Sequence, residues 1–177
     1  MLTTADRPTS LTIGNPAAPQ FAQDQQTRMW VFPDKPPAAP SRSDILRYTQ
    51  RELAGLRRLP RGWDGSKGIP LRPEFASMAL RLVDLVTVED GLATPQFSPL
   101  PDGGLCVTWL VGGDRLTIDL DPYGISIRGV WGDGHEAFAF ESEHAALRPS
   151  ELEAAINDGR SFLLKISTRV RHQLSAL

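Results

Sequence analysis

Three histidines, one cysteine and the carboxylates are the first candidates for catalysis in this 177-residue chain. The histidines and the cysteine do not have the spacing of a zinc site. Asp64 with His135 or His144 could serve a small hydrolase if the fold brought these side chains together. Cys106 lies among apolar residues, which is typical of a buried, inert thiol. We therefore expect no enzyme, metal or cofactor, and keep the hydrolase as an alternative.

The most distinctive segment is the glycine-rich loop Leu59-Pro60-Arg61-Gly62-Trp63-Asp64-Gly65, which leads on to Ile69-Pro70. Its glycines and prolines indicate irregular backbone. If the indole of Trp63 and the carboxylate of Asp64 are exposed, they are candidate partner-binding residues. In the alternative interpretation, Trp63 buries its ring against the fold and Asp64 accepts hydrogen bonds from neighbouring backbone amides.

Arginine is concentrated between residues 41 and 61, a segment that contains six arginines and two acidic residues. Arg47, Arg51 and Arg58 are spaced by four and seven residues, so a helix would place them on one face. Such a face could contact the phosphates of a nucleic acid, or it could simply be solvated. The net charge of −2 gives no overall attraction to nucleic acid. Nucleic-acid binding through these arginines is therefore an alternative to protein binding.

Residues 1–40 differ in composition from the rest of the chain and contain seven of its fifteen prolines. They offer too little apolar surface to offset the entropy of ordering, which predicts a flexible segment. Within it, Met29–Pro33 is a short aromatic patch that could dock on the domain or on a partner, and Trp30 is its candidate binding residue. We expect a single domain over residues 41–177.

Three amphipathic helices are predicted from apolar residues that recur every three or four positions. The first covers about 43–58, with Ser41 or Ser43 as its cap, and the second covers about 73–87 after Pro73. The last begins at Ser150, where the spacing to Glu153 is that of a capping box. Its apolar stripe either packs on the sheet of its own chain or joins a second copy in a homodimer.

Between Leu105 and Phe140 the apolar residues alternate with polar ones, which is the period of half-buried strands. Short turns rich in glycine and aspartate separate the runs, so neighbouring strands should pair as an antiparallel meander. A weaker strand near Gln96–Leu100 should lie at an edge because prolines flank it. The prediction is an α+β fold, in the order α-α-β-β-β-β-β-α, with the helices on one face of the sheet.

The central part of the chain resembles a group of small uncharacterised bacterial and phage proteins. The matching residues are Trp63-Asp64-Gly65, Pro70, Pro101-Asp102-Gly103-Gly104, Trp109 and the strand Leu116–Leu120, which closes at Gly124. The resemblance covers about residues 55–130 and implies an α+β domain without an established activity. The segment Ser66-Lys67-Gly68 and the long basic helix at the C-terminus differ from the sequence pattern of that group.

The apolar runs, the N-terminus and the cysteine content predict where the protein acts. No apolar run approaches the roughly 20 residues that cross a bilayer, and the N-terminus lacks the features of a secretory signal. With one cysteine and no intrachain disulfide, a cytoplasmic location is expected. We expect a non-catalytic protein that binds another protein, such as an antitoxin, an immunity protein or a phage-type inhibitor.

Overall fold

The computed structural model describes residues 39–175, with side chains to Arg169. Trp30 and nearly all of the predicted flexible segment lie outside the described residues. Within 39–175 there are three helices and five strands: α1 (Arg42–Leu56), α2 (Pro73–Val86), β1 (Gln96–Pro99), β2 (Leu105–Val111), β3 (Asp114–Leu120), β4 (Gly124–Val130), β5 (Glu136–Glu143) and α3 (Pro149–Ser175). The predicted α+β class and element order are confirmed.

Helix α1 begins at a capping box. The Ser41 side chain accepts a hydrogen bond from the Asp44 amide at 3.1 Å, and the Asp44 carboxylate accepts one from the Ser41 amide at 3.4 Å. These bonds satisfy two amides that have no partner inside the helix. The helix ends at Leu56, which is earlier than predicted, so Arg58 lies in the turn that follows and not on the helix.

The C-terminal end of α2 is held by arginines from the other two helices. The carbonyl of Leu85 accepts hydrogen bonds from the Arg160 guanidinium at 3.0 and 3.2 Å, and that of Thr87 accepts one from Arg42 at 2.8 Å. Arg42 also pairs with Asp84. The last carbonyls of a helix lack partners within the helix and carry the negative end of its dipole. The arginines therefore supply hydrogen-bond donors to these carbonyls and stabilise the helix end by their positive charge.

The five strands form one antiparallel sheet in the order β1-β2-β3-β4-β5. The loop between β2 and β3 consists of Gly112 and Gly113, both with positive φ, as a two-residue hairpin requires. The register sets Val107 opposite Ile118 and Ile118 opposite Ile127, so one face of the sheet is apolar. All three helices contribute buried residues to that face.

Helix α3 crosses the centre of the apolar face. Ile156, Leu163 and Ile166 are buried there, so these residues are not available to a second copy in the predicted homodimer. The capping box predicted at Ser150 is wrong, because α3 begins one residue earlier and the Arg148 carbonyl accepts the first helical bonds. No helix in the described part of the chain is long and apolar enough to cross a membrane.

Candidate protein-binding surface

Trp63 and Asp64 use their polar atoms inside their own loop. The indole Nε1–H of Trp63 donates to the Ile69 carbonyl at 3.0 Å. The Asp64 carboxylate accepts from the amides of Ser66 and Gly68, each at 2.9 Å. These two backbone bonds hold the pKa of Asp64 below its usual range. Both residues are therefore accounted for by the loop's structure, although the Asp64 side chain is exposed.

The same loop docks on the turn between β1 and β2. The amide of Ile69 donates to the Pro101 carbonyl and that of Arg72 to the Gly103 carbonyl, both at 3.0 Å. The Trp-Asp-Gly and Pro-Asp-Gly-Gly segments are thus neighbours in one structural unit. The sequence did not predict this contact, because backbone hydrogen bonds between two loops require no periodic pattern of residues.

The three candidate arginines do not form one continuous helical face. Arg47 and Arg51 are exposed on α1, where Arg47 lies 3.4 Å from Asp44 and Arg51 lies 3.6 Å from Glu52. The Arg51 guanidinium also lies 5.5 Å from the centre of the Tyr48 ring. Exposed pairs of this kind are each worth about 0–1 kcal/mol, so both arginines remain free to meet a partner.

Among the described residues, no hydrogen bond joins Asp64 to either histidine of the hydrolase alternative. The loop of Asp64 docks at the Pro101–Gly103 end of the sheet, whereas His135 lies in the β4–β5 turn at the opposite end. His144 stacks on Phe75, and its Nε2 lies 2.8 Å from the Asp121 carbonyl. The described residues contain no group of three or more potential metal ligands.

Cys106 lies half-buried on the side of the sheet that faces away from the helices. Burial raises the pKa of its thiol to about 11, so the thiol stays protonated at neutral pH. The thiolate is the reactive form. The sequence predicted a buried thiol, whereas Cys106 is half-buried; its inertness stays a prediction.

The sequence matches no protein-family model, and comparisons with curated proteins and with solved structures found no match. The resemblance to small bacterial and phage proteins stays a prediction.

No described helix covers the second face of the sheet, which we call the open face. Its centre is a shallow depression of about 280 Å³ that includes Thr117, Asp119 and Arg128. Threonine, serine and charged side chains dominate here, and the Ser126 hydroxyl donates to Asp119 at 3.3 Å. The alternation in the sequence predicted this polar face.

Strand β5 forms one edge of the sheet, and its outer side has no partner strand within residues 39–175. Its eight residues are mostly exposed. Phe138 and Phe140 pack against the core, whereas Glu141 lies opposite Ser126 and Glu143 opposite Gly124. By the alternation of a strand, these two carboxylates stand on the open face.

A groove of about 470 Å³ runs beside the first half of β5, between this strand and α3. Trp131, Phe138 and Phe162 form its apolar part, and Asp158 and Lys165 of α3 are polar residues in its lining. The rings of Trp131 and Phe162 lie 4.7 Å apart and those of Phe138 and Phe162 lie 5.9 Å apart. Within residues 39–175, the edge of β5 thus combines unpaired backbone groups, two exposed acids and a groove lined by both aromatic and polar side chains.

Sequence reasoning did not include this edge among its candidate sites. The signal was present, because the last strand of a meander is an edge strand and Glu141 and Glu143 follow the alternating phenylalanines. What the sequence could not show is that no helix or loop among the described residues covers the outer side of β5.

Asp114, the first residue of β3, is a buried acid at the end of the sheet where the β2–β3 and β4–β5 turns lie. Its carboxylate accepts from the Gly132 amide at 2.7 Å and pairs with Arg169 at 3.4 Å. The Arg169 guanidinium lies 5.3 Å from the centre of the Trp131 ring. Asp114 therefore has a structural role, because it joins the two hairpin turns to α3.

Proposed function

We propose that this protein is a non-catalytic module that binds another protein, of the kind represented by antitoxins, immunity proteins and phage-encoded inhibitors. The observation that carries the proposal is the side of the sheet that no other element within residues 39–175 covers: the open face together with the outer edge of β5. A strand edge of this kind readily pairs with another chain. We expect the protein to act in the cytoplasm, since its one cysteine forms no intrachain disulfide.

The hydrogen bonds and positions of the candidate catalytic groups support the same proposal. Asp64 is bonded within its loop, His135 lies at the other end of the sheet, and the Cys106 thiol is protonated at neutral pH. General acid–base or nucleophilic catalysis needs such groups within hydrogen-bond reach of one another. A binding function needs only an accessible surface.

The test is a quantitative binding measurement between the full-length protein and each purified product of the genes next to its own. We expect one of them to bind with micromolar affinity or better. Thr117→Arg, at the centre of the open face, should weaken binding at least tenfold. Ser77→Arg introduces the same side chain on the exposed side of α2 and should leave the affinity unchanged. No binding by any of these proteins, or equal affinities for all variants, would contradict the proposal.

Nucleic-acid binding is the second candidate, and the ion-pair pattern around α1 favours it. Arg57, Arg58 and Arg61 follow one another closely and form no ion pair within residues 39–175. Binding through phosphates weakens steeply as salt rises. Titration of a labelled DNA duplex at two salt concentrations, with Arg57→Glu/Arg58→Glu as the variant, distinguishes this function. A salt-sensitive affinity that the variant abolishes would favour nucleic acid over a protein partner.

A further inference from the structure

The outer side of β5 is an open hydrogen-bonding edge with two chemically different flanks. On the open face, Glu141 and Glu143 are exposed, and neither forms an ion pair within the part of the chain that the structure describes. On the helix side, the groove beside the strand is lined by aromatic side chains, including Phe138, and by polar side chains. Because successive residues of a strand point to opposite faces, an added strand would meet both flanks.

We infer that the edge of β5 binds an extended segment of another protein that carries basic residues at alternate positions and apolar residues between them, adding it to the sheet as a further strand. The inference rests on the proposed protein-binding function and specifies its partner. Main-chain hydrogen bonds would supply affinity, and the alternating side chains would supply specificity. The basic side chains would lie beside Glu141 and Glu143, and the apolar ones would enter the groove.

Charge complementarity selects this occupant over a second copy of the chain. Strand β5 contains three glutamates and no basic residue. Pairing of β5 with its own copy would bring two acidic rows together, and like charges on adjacent strands are destabilising. Glu136 is already paired with Arg128 at 3.4 Å, which leaves Glu141 and Glu143 as the carboxylates that a basic strand would meet.

The groove explains why the partner should alternate in polarity. A residue that pairs outside Phe138 on the helix side lies over α3, near Phe162 and Ser161. An apolar side chain there would cover the aromatic cluster and remove apolar surface from water. The polar residues Asp158 and Lys165 in the groove lining would stay in contact with water.

The inference is tested with the full-length protein and the capped peptide Lys-Val-Lys-Val-Lys-Val-Lys-Val. We expect saturable binding, slower exchange of the β5 amides and affinity that falls as salt rises. The peptide with glutamate in place of each lysine keeps the alternation and should not bind. Glu141→Lys/Glu143→Lys should weaken binding about tenfold, because two attractive cross-strand pairs become repulsive. Glu74→Lys/Glu89→Lys makes the same charge change on the exposed helix side and should have no effect.

Three outcomes would overturn the inference. The first is binding of the lysine and glutamate peptides with equal affinity. The second is slow exchange of the outer β5 amides without peptide and no change on its addition, which would mean that the edge is already occupied. The third is dimerisation through β5. If these occur while an adjacent gene product still binds and Thr117→Arg weakens it, the inference fails and the proposed function stands.

Discussion

The two edges of the sheet differ in how they are protected. Strand β1 is four residues long, ends at Pro99 and packs against α1 through Phe97, whose ring lies 6.1 Å from that of Tyr48. Strand β5 is twice as long and contains no proline. Among the described residues, its acidic side chains and an irregularity in its pairing with β4 are the features that can discourage pairing. Short strands, prolines and cover by other elements are the common ways to block unwanted pairing.

This difference indicates that the β5 edge selects a pairing strand by its charge. A row of carboxylates discourages pairing between identical copies, yet it attracts a strand of opposite charge. Strand β1 itself contains no acidic residue. Four predictions test this contrast, in order of decreasing effect.

Phe162→Ala should have the largest effect, since Phe162 is buried and supports Trp131 and Phe138 near β5. We expect a loss of about 3–5 kcal/mol in the free energy of unfolding. Amides of β5 should also exchange faster than those of β1. Urea unfolding and hydrogen exchange measure the two effects, with the exposed neighbour change Ser161→Ala as control. An equal response of both edges would mean that Phe162 does not support β5 in particular.

Gly129→Ala should act on the same edge with a smaller cost. A Cβ at residue 129 would lie 2.4 Å from Cε1 of Phe138, so the ring must move. Overpacking of this kind costs about 1–3 kcal/mol in the free energy of unfolding. Adding Phe138→Leu to this variant should recover part of the loss, and a double-mutant cycle measures that coupling. Strictly additive effects would show that the two positions do not clash.

Phe97→Ala tests the opposite edge. Its side chain is partly buried against α1, so truncation should cost about 1–2 kcal/mol of unfolding free energy. Exchange should increase for β1 and α1 while the β5 amides keep their rates. Gln96→Ala, on the exposed side of the same strand, is the matched control. Faster exchange of β5 in the Phe97 variant would show that the edges are not independent.

Gly159→Ala should change neither edge and should slightly stabilise the fold. A Cβ at this position meets Ile127 and Leu116 at 3.7 Å, which is ordinary van der Waals contact, and alanine favours a helix over glycine by about 1 kcal/mol. Thermal unfolding should show a higher midpoint. Gly159→Val has branches that exceed this space and should be destabilising. A lower midpoint for the alanine variant would mean that α3 packs closer to the sheet than described.

Local patterns were sufficient to predict most of the fold. The alternation from Leu105 to Phe140 predicted four strands, and glycine pairs such as Gly112-Gly113 predicted their turns. Helix boundaries were less certain, because both Ser41 and Ser43 can cap a helix and Ser150 has the spacing of a capping box without acting as one. Which candidate is used depends on where the helix docks, and the sequence around the cap does not contain that information.

The predicted site residues show the limits of the same reasoning. Trp63 and Asp64 were predicted as candidate binding residues, whereas their hydrogen bonds to Ile69 and Gly68 show that their polar atoms are used within the loop. Arg58 has helical spacing from Arg51, yet the helix ends at Leu56. Residue type and spacing indicate which interactions a side chain can make. Its neighbours in the fold decide whether those interactions are already made within the protein.

The sequence by itself determined the alternating strands, the amphipathic helices and the acidic, proline-free character of the last strand, since each depends on residues close together in the chain. The tertiary structure decided that all three helices pack on one face and that, within residues 39–175, the outer side of β5 meets none of them. Exposure depends on contacts between distant segments. For that reason the edge strand became a candidate binding surface only once the packing around it was known.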